Sequence, residues 1–234
     1  MGWPTVHSVV TLASVSTDVL PLTDRTRVGR LRERQVRDRS QLDAILDAGL
    51  VAHVAVCRGG VPLLLPMAYA RDGDRLVLHG STGAGLLRAV ASGAQVAVAV
   101  THLDGVVYAR TAFESSMNYR SAVVYGTATV LEGDEKKFAA LRVLTEHLMP
   151  GRWDEVRPPT RQELAATLVL AVPLDEASVK VRTGGPSDEL ADDPGAWAGV
   201  LPLGTSVGVP VPAEDLDAHT PLPPSVLTAM ARLR

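Results

Sequence analysis

Between residues 50 and 131 apolar, β-rich runs are separated by glycine turns, and over 96–102 valine alternates with alanine or threonine. Such a period belongs to strands with one covered face. Strands are expected over 50–57 and 61–70, joined by Arg58-Gly59-Gly60, and Pro62 and Pro66 mark the second as an edge or bulged strand. Asp72-Gly73 turns the chain into a strand over 75–79, and a strand over 96–102 is followed by a second turn at Asp104-Gly105 with a return over 106–109. A long strand over 119–131 and two closing strands over 168–172 and 178–182 complete the set. Helical spacing is rarer. Ser40-Gln-Leu-Asp43 reads as a capping box opening a helix that stops at Gly49, and a short helix is expected over 84–92. The clearest amphipathic helix covers 134–148, with Phe138, Leu141, Leu144, Thr145 and Leu148 along one side. Short strands joined by hairpins, with few helices between them, define a mainly β, antiparallel barrel with a few flanking helices and exclude a doubly wound sheet.

Charge divides the ends from this centre. Seven arginines lie between Arg25 and Arg39, and seven acidic residues with no basic one lie between Ser187 and Asp217. The expected organisation is an N-terminal extension (1–24), a barrel domain (25–186) and a Pro-rich acidic tail (187–234) wrapping it in extended form. The basic arm and acidic tail are read as solvated, with mutual pairing as the alternative. At 46% hydrophobic, 21% charged and net charge -3, the chain is neither disordered nor a natural nucleic-acid binder. No uncharged apolar run reaches membrane-span length and the uncharged first 17 residues lack a basic start, so a cytoplasmic location is expected. The single cysteine, Cys57, and His53 both lie in an apolar strand and are expected in the core. The six histidines form no close metal pair, and no Gly-x-Ser-x-Gly elbow occurs.

Two segments carry candidate chemistry. In His79-Gly80-Ser81-Thr82-Gly83-Ala84-Gly85 a strand ends, the backbone turns, two hydroxyls follow and a helix begins. Free amides at a helix start, with Ser81 and Thr82, can hold a phosphate, and an ordinary cap uses the same residues. In Asn118-Tyr119-Arg120-Ser121, Arg120 alternates with Ala122, Val124 and Gly126. Arg on such a face must find an anion, or else it lies at a surface strand end.

Taken in order, His79-Gly80-Ser81, Leu103-Asp104-Gly105, Asn118-Tyr119-Arg120-Ser121, Val123-Val124-Tyr125-Gly126, Pro150-Gly151-Arg152-Trp153, Ser178-Val-Lys180-Val-Arg182 and Trp197-Ala-Gly199 resemble the pyridoxamine 5′-phosphate oxidase-like superfamily, in its flavin-nucleotide-binding, nitroimidazole-reductase-like branch. The resemblance spans roughly residues 30–203. It implies a split β-barrel and a homodimer with FMN at the interface. His79, Gly80, Ser81 and Thr82 would line the phosphate and ribityl chain, with Arg88 adding charge. Met67 and Ala68 would run beside the isoalloxazine, and Asn118, Tyr119, Arg120 and Ser121 would reach the cofactor from a neighbouring strand. Lys180, Arg182 and Trp197 would approach its open face. Relatives commonly carry a Ser-Arg pair where this chain has Ala84-Gly85, which removes a cation near the phosphate. The implied activity is an FMN-dependent oxidoreductase acting on a small molecule, with a reduced nicotinamide as donor. The alternative is a flavin, deazaflavin or haem carrier or sensor without turnover. No catalytic residue is singled out.

Overall fold

A computed structural model describes residues 18–189, 192–217 and 219–232. The uncharged start of the expected N-terminal extension, residues 1–17, lies outside them. The elements in chain order are β1 (Gln35–Val36), α1 (Arg39–Ala48), β2 (Val51–Arg58), β3 (Val61–Asp72), β4 (Arg75–Ser81), α2 (Gly85–Ala91), β5 (Gln95–Tyr108), β6 (Ser116–Thr127), β7 (Thr129–Val130), α3 (Asp134–Leu148), α4 (Arg161–Ala166), β8 (Thr167–Pro173), β9 (Ala177–Arg182), β10 (Gly199–Pro202) and α5 (Pro224–Arg232). The strands run β1-β9-β6-β5-β2-β3-β4-β8-β7, every pair antiparallel, with β10 added on β5. This is the expected mainly β split barrel.

The split has one origin. β3 pairs with β2 over residues 61–68 and with β4 only over 69–72. Beyond Leu78, β4 continues on β8 alone, through His79, Gly80 and Ser81. A fork therefore opens between Met67–Ala68 on one strand and His79–Ser81 on the other, with no ladder across it. Tyr69 stands at the fork, fully buried, and its hydroxyl donates to the Leu46 carbonyl at the end of α1 (2.6 Å). His147 of α3 lies beside the Tyr69 ring (5.5 Å), and its Nε2–H donates to the Gly49 carbonyl (2.6 Å). Leu42, Ile45, Val54, Leu76, Leu78, Val98, Val124 and Leu170 fill the barrel. A second cluster, with Val77, Val169, Ala140 and Leu144, lies where α3 packs outside. Around the other side the sheet closes where Gly126 of β6 meets Pro173 and Val172 of β8, and the Tyr125 amide donates to the Glu176 carbonyl (2.8 Å).

Several local expectations change. The Asp104-Gly105 pair is not a hairpin turn: β5 runs on through it with a bulge between Leu103 and Gly105, because β10 supplies a partner on the far side. The α1 cap is Asp38, whose carboxylate accepts from the Ser40 amide (2.8 Å), while Asp43 pairs with Arg39. Pro62 and Pro66 fall in the half of β3 that has one partner strand, consistent with their missing donors. The tail does more than wrap, since it contributes β10 and α5, and Ser225 of α5 donates its amide and hydroxyl to Glu155. The arm and tail pair with the barrel, through Arg25–Glu176, Arg39–Asp74 and Arg110–Asp188. Trp153 packs edge-on against Phe138 of α3.

The largest correction concerns β2. His53 and Cys57 are exposed, whereas Ala52, Val54 and Val56 point into the barrel. Both faces of this strand are apolar, so alternation alone does not say which one is inner.

The joint at Tyr69 is sterically tight. A Cβ at Gly49 would stand 2.6 Å from the Tyr69 hydroxyl and 2.7 Å from Val100 Cγ1. Gly49→Ala should therefore destabilise the fold by about 1–3 kcal/mol, read by urea unfolding. Unchanged stability would show that the end of α1 moves aside freely.

Candidate functional site

The residues picked out from the sequence fall into two groups in one chain. Around the fork stand Met67, Ala68, His79, Gly80, Ser81, Thr82 and, on α2, Arg88. Met67 packs against the barrel core while Ala68 alternates to the outer face. A free strand edge offers amides and carbonyls in the plane of the sheet, which suits the donor–acceptor edge of a flat heterocycle. Gly80 is required by close approach, since a Cβ there would lie 2.4 Å from Leu87 Cδ1. At the turn that follows, Gly83 donates to Ser81 Oγ (3.2 Å), Ala84 to the Ser81 carbonyl and Thr82 to the Ala166 carbonyl. These amides are engaged within the protein. What remains for an anion is the Thr82 hydroxyl, the exposed Arg88 and the start of α2, which has no side-chain cap.

His79 differs from its neighbours. Its Nδ1 is buried with no partner among the described residues, and burial pushes the imidazole's pKa below the ordinary histidine range. It is held neutral at pH 7, an acceptor or donor awaiting a polar group.

The second group lies on β6, β9 and the tail. Asn118 and Arg182 are buried together: Arg182 Nη1 donates to Asn118 Oδ1 (2.5 Å), its Nη2 to the Gly185 carbonyl (3.1 Å), and Asn118 Nδ2 to the Gly184 carbonyl (3.0 Å). They fasten the start of the tail instead of facing open space. Arg120 also has its anion already. The β5 bulge turns Asp104 toward it, and the two form a bidentate pair (Nε–Oδ2 2.9 Å, Nη2–Oδ1 2.8 Å). Hydrogen bonding from Arg120 holds the Asp104 carboxyl below the usual range. A cavity of about 580 Å³ opens beside this pair, lined also by Thr101, His102, Leu203 and Thr205. Ser121 Oγ donates to the Lys180 carbonyl (3.3 Å), and Tyr119 and Lys180 are half-buried. Trp197 is 69% exposed and stacks edge-on with Tyr108 (5.7 Å), close over Gly199.

From β6 to β3 is three strand steps, or about 14 Å along the sheet. One chain does not close the two groups around a single ligand. The sequence reading missed Asp104 as the partner of Arg120, because a two-against-one bulge does not show in an alternation pattern.

An antiparallel barrel whose β3–β4 pair forks in this way is a split barrel. The profile of the family described as pyridoxamine 5′-phosphate oxidase matches residues 38–181, and this chain belongs to that family. No curated protein matches the sequence. Among solved structures it is similar to the FAD and haem binding protein from Mycobacterium smegmatis, at 49% identity and TM-score 0.81, covering 83% of this chain and 96% of that one. It is similar to the flavocytochrome Anf3 from Azotobacter vinelandii at 36% identity and TM-score 0.83, covering 88% and 96%. It shares its fold, at 22% identity and TM-score 0.56, with a chain described as a candidate 5-nitroimidazole antibiotic resistance protein from Bacteroides thetaiotaomicron, covering 63% and 86%.

The Arg120–Asp104 pair should show itself in pH dependence. The carboxyl's folded pKa is lowered, so its stabilisation is present above the unfolded value, about 3.9, and is lost as pH falls through the lower folded value. Arg120→Ala should cost about 1 kcal/mol or less at pH 7, because the pair is about one-third exposed. The gap to the parent protein should shrink in acid. A gap independent of pH in thermal melts would remove Asp104 from the account.

Proposed function

We propose that the chain is a flavin-dependent oxidoreductase that works as a homodimer, with the flavin seated at the fork between β3 and β4, and that it also carries haem. The observation that carries the reading is the fork itself: two free strand edges, the unpartnered Nδ1 of His79 and an uncapped helix start converge there. Two relatives at 49% and 36% identity, named for FAD and haem and as a flavocytochrome, support both cofactors. The first of them favours FAD over the FMN expected from the sequence. Both nucleotides carry a phosphate on the ribityl chain, so Thr82 and Arg88 serve either.

A bound flavin exchanges two electrons with a small molecule such as a reduced nicotinamide, and haem passes them singly. The chain's own part is placement. Gly80 leaves room for Leu87 at the start of α2, and Met67 and Ala68 supply an apolar wall. Neutral His79 offers one hydrogen bond without adding charge. A two-fold partner would bring Tyr119, Ser121 and Lys180 of one copy toward the fork of the other, and would cover the exposed apolar residues Val61 and Leu65. No helix among the described residues is long and apolar enough to cross a membrane.

Titration with FAD, FMN and riboflavin, with light scattering on the loaded protein, tests this reading. The nucleotides should bind at least roughly tenfold tighter than riboflavin, at one flavin per chain, in a particle of twice the 24.7 kDa chain mass. Equal affinity for riboflavin would remove the phosphate contacts, and a loaded particle of one chain would remove the shared site. Turnover of a reduced nicotinamide separates the oxidoreductase from a carrier of the same cofactors.

A further inference from the structure

The ladder along β5 has a gap. β2 leaves β5 at the His53–Ala99 pair and β10 joins it only at Pro202–Gly105, so the stretch from Val100 to Leu103 is paired on its β6 side alone. The cavity of about 580 Å³ beside Arg120 opens at this gap. His102 and Arg120 alternate with Val100 and Ala122, which are buried in the barrel core, so the cavity is the mouth of the barrel. Tyr119 and Ser121 alternate to the other face, and a second copy that meets those two does not by itself cover the mouth. A volume of this size is in the ordinary range for a small-molecule site, and barrel mouths are a common place for one.

The polar groups of the mouth are matched donors and acceptors. Arg120 uses Nε and Nη2 on Asp104, and its Nη1 has no partner among the described residues. Each Asp104 oxygen keeps a lone pair free beside that bond. His102 donates Nε2–H to the Ile45 carbonyl (2.9 Å), which leaves its Nδ1 as an acceptor. The hydroxyls of Thr101 and Thr205 also line the cavity and make no hydrogen bond among the described residues. An entering anion would meet Asp104, which Arg120 holds ionised, and an entering cation would meet Arg120. A neutral group with a donor and an acceptor side by side meets no like charge. It can pair with the outer N–H of Arg120 and the outer lone pair of Asp104, or with the free edge of β5. We infer that the mouth of the barrel is a binding site, separate from the fork, for a flat neutral molecule held by a carboxamide. The reduced nicotinamide named above carries such a group. The site does not rest on the flavin reading, since none of its lining residues belongs to the fork.

Nicotinamide and nicotinate test this, being one ring with a neutral carboxamide or a carboxylate. Each is titrated into the full-length protein, with and without saturating FAD, and backbone amide NMR signals locate the binding. Signals of 101–105 and 203–205 should move, and the parent should prefer nicotinamide by roughly tenfold or more, the scale of one hydrogen bond to a charged group. Asp104→Asn keeps the side chain's shape and leaves Arg120 as an unbalanced cation, so the preference should invert toward nicotinate. A pair with only a structural role would lose stability without inverting anything. Thr205→Val leaves the pair intact and should weaken nicotinamide roughly two- to tenfold. Binding of neither probe, equal affinity for both, signal changes confined elsewhere, or an unchanged preference in Asp104→Asn would overturn the site. Nicotinamide binding abolished by saturating FAD would assign the mouth to the flavin, overturning a separate site and leaving flavin binding in place. The predicted preference in a protein that binds no flavin would support the site and overturn only the reading of the fork.

Discussion

The hydrogen bond from Tyr69 to the Leu46 carbonyl holds the point on which the rest of the molecule turns. Up to Ala68, β3 belongs to β2; from Tyr69 onward it belongs to β4. A phenol buried at that handover would lose several kcal/mol without a partner, and the end of α1 supplies one. Burial also drives the Tyr69 pKa upward, so the hydroxyl stays a donor at any ordinary pH. His147 and Gly49 close the same joint from α3 and α1. Once the joint is fixed, the two strands must diverge, and their edges beyond it are left free for a ligand.

Two surfaces follow from that divergence. The fork faces one way and gathers Met67, Ala68 and the His79–Thr82 segment. The broad outer face of β2, β5 and β6 faces another and presents Ala55, Ala97, Ala99 and Val123, with Arg25 over Tyr125 at one end. The second group of candidate residues sits at the far edge of this face. Their separation from the fork makes a two-fold partner the economical way to complete a flavin site.

Much of this was legible in the residues. The β-rich runs between 50 and 131, alternating over 96–102, and the turns at Gly59-Gly60 and Asp72-Gly73 marked the barrel, and the 134–148 helix matched to the residue. The ordered motifs identified the family. Three features were not legible, each for a physical reason. Asp104-Gly105 has hairpin chemistry, yet β10, from nearly a hundred residues later, keeps the strand running. Arg120 looked unpaired because its acid arrives through a bulge. His53 and Cys57 looked buried because β2 is apolar on both faces, and only the fold decides which face is inner. One signal was present and passed over: Thr160-x-x-Glu163 is a capping box, and it opens α4.

The central claim is that the fork between β3 and β4 receives the flavin, and backbone amides report on that directly. Hydrogen–deuterium exchange on the protein, with and without saturating FAD, should show new protection in Met67–Ala68 and His79–Thr82. Residues 69–72 and 75–78, already paired with each other, should change little. Saturated protein with unchanged exchange at the fork, and protection confined to some other part of the chain, would contradict the account.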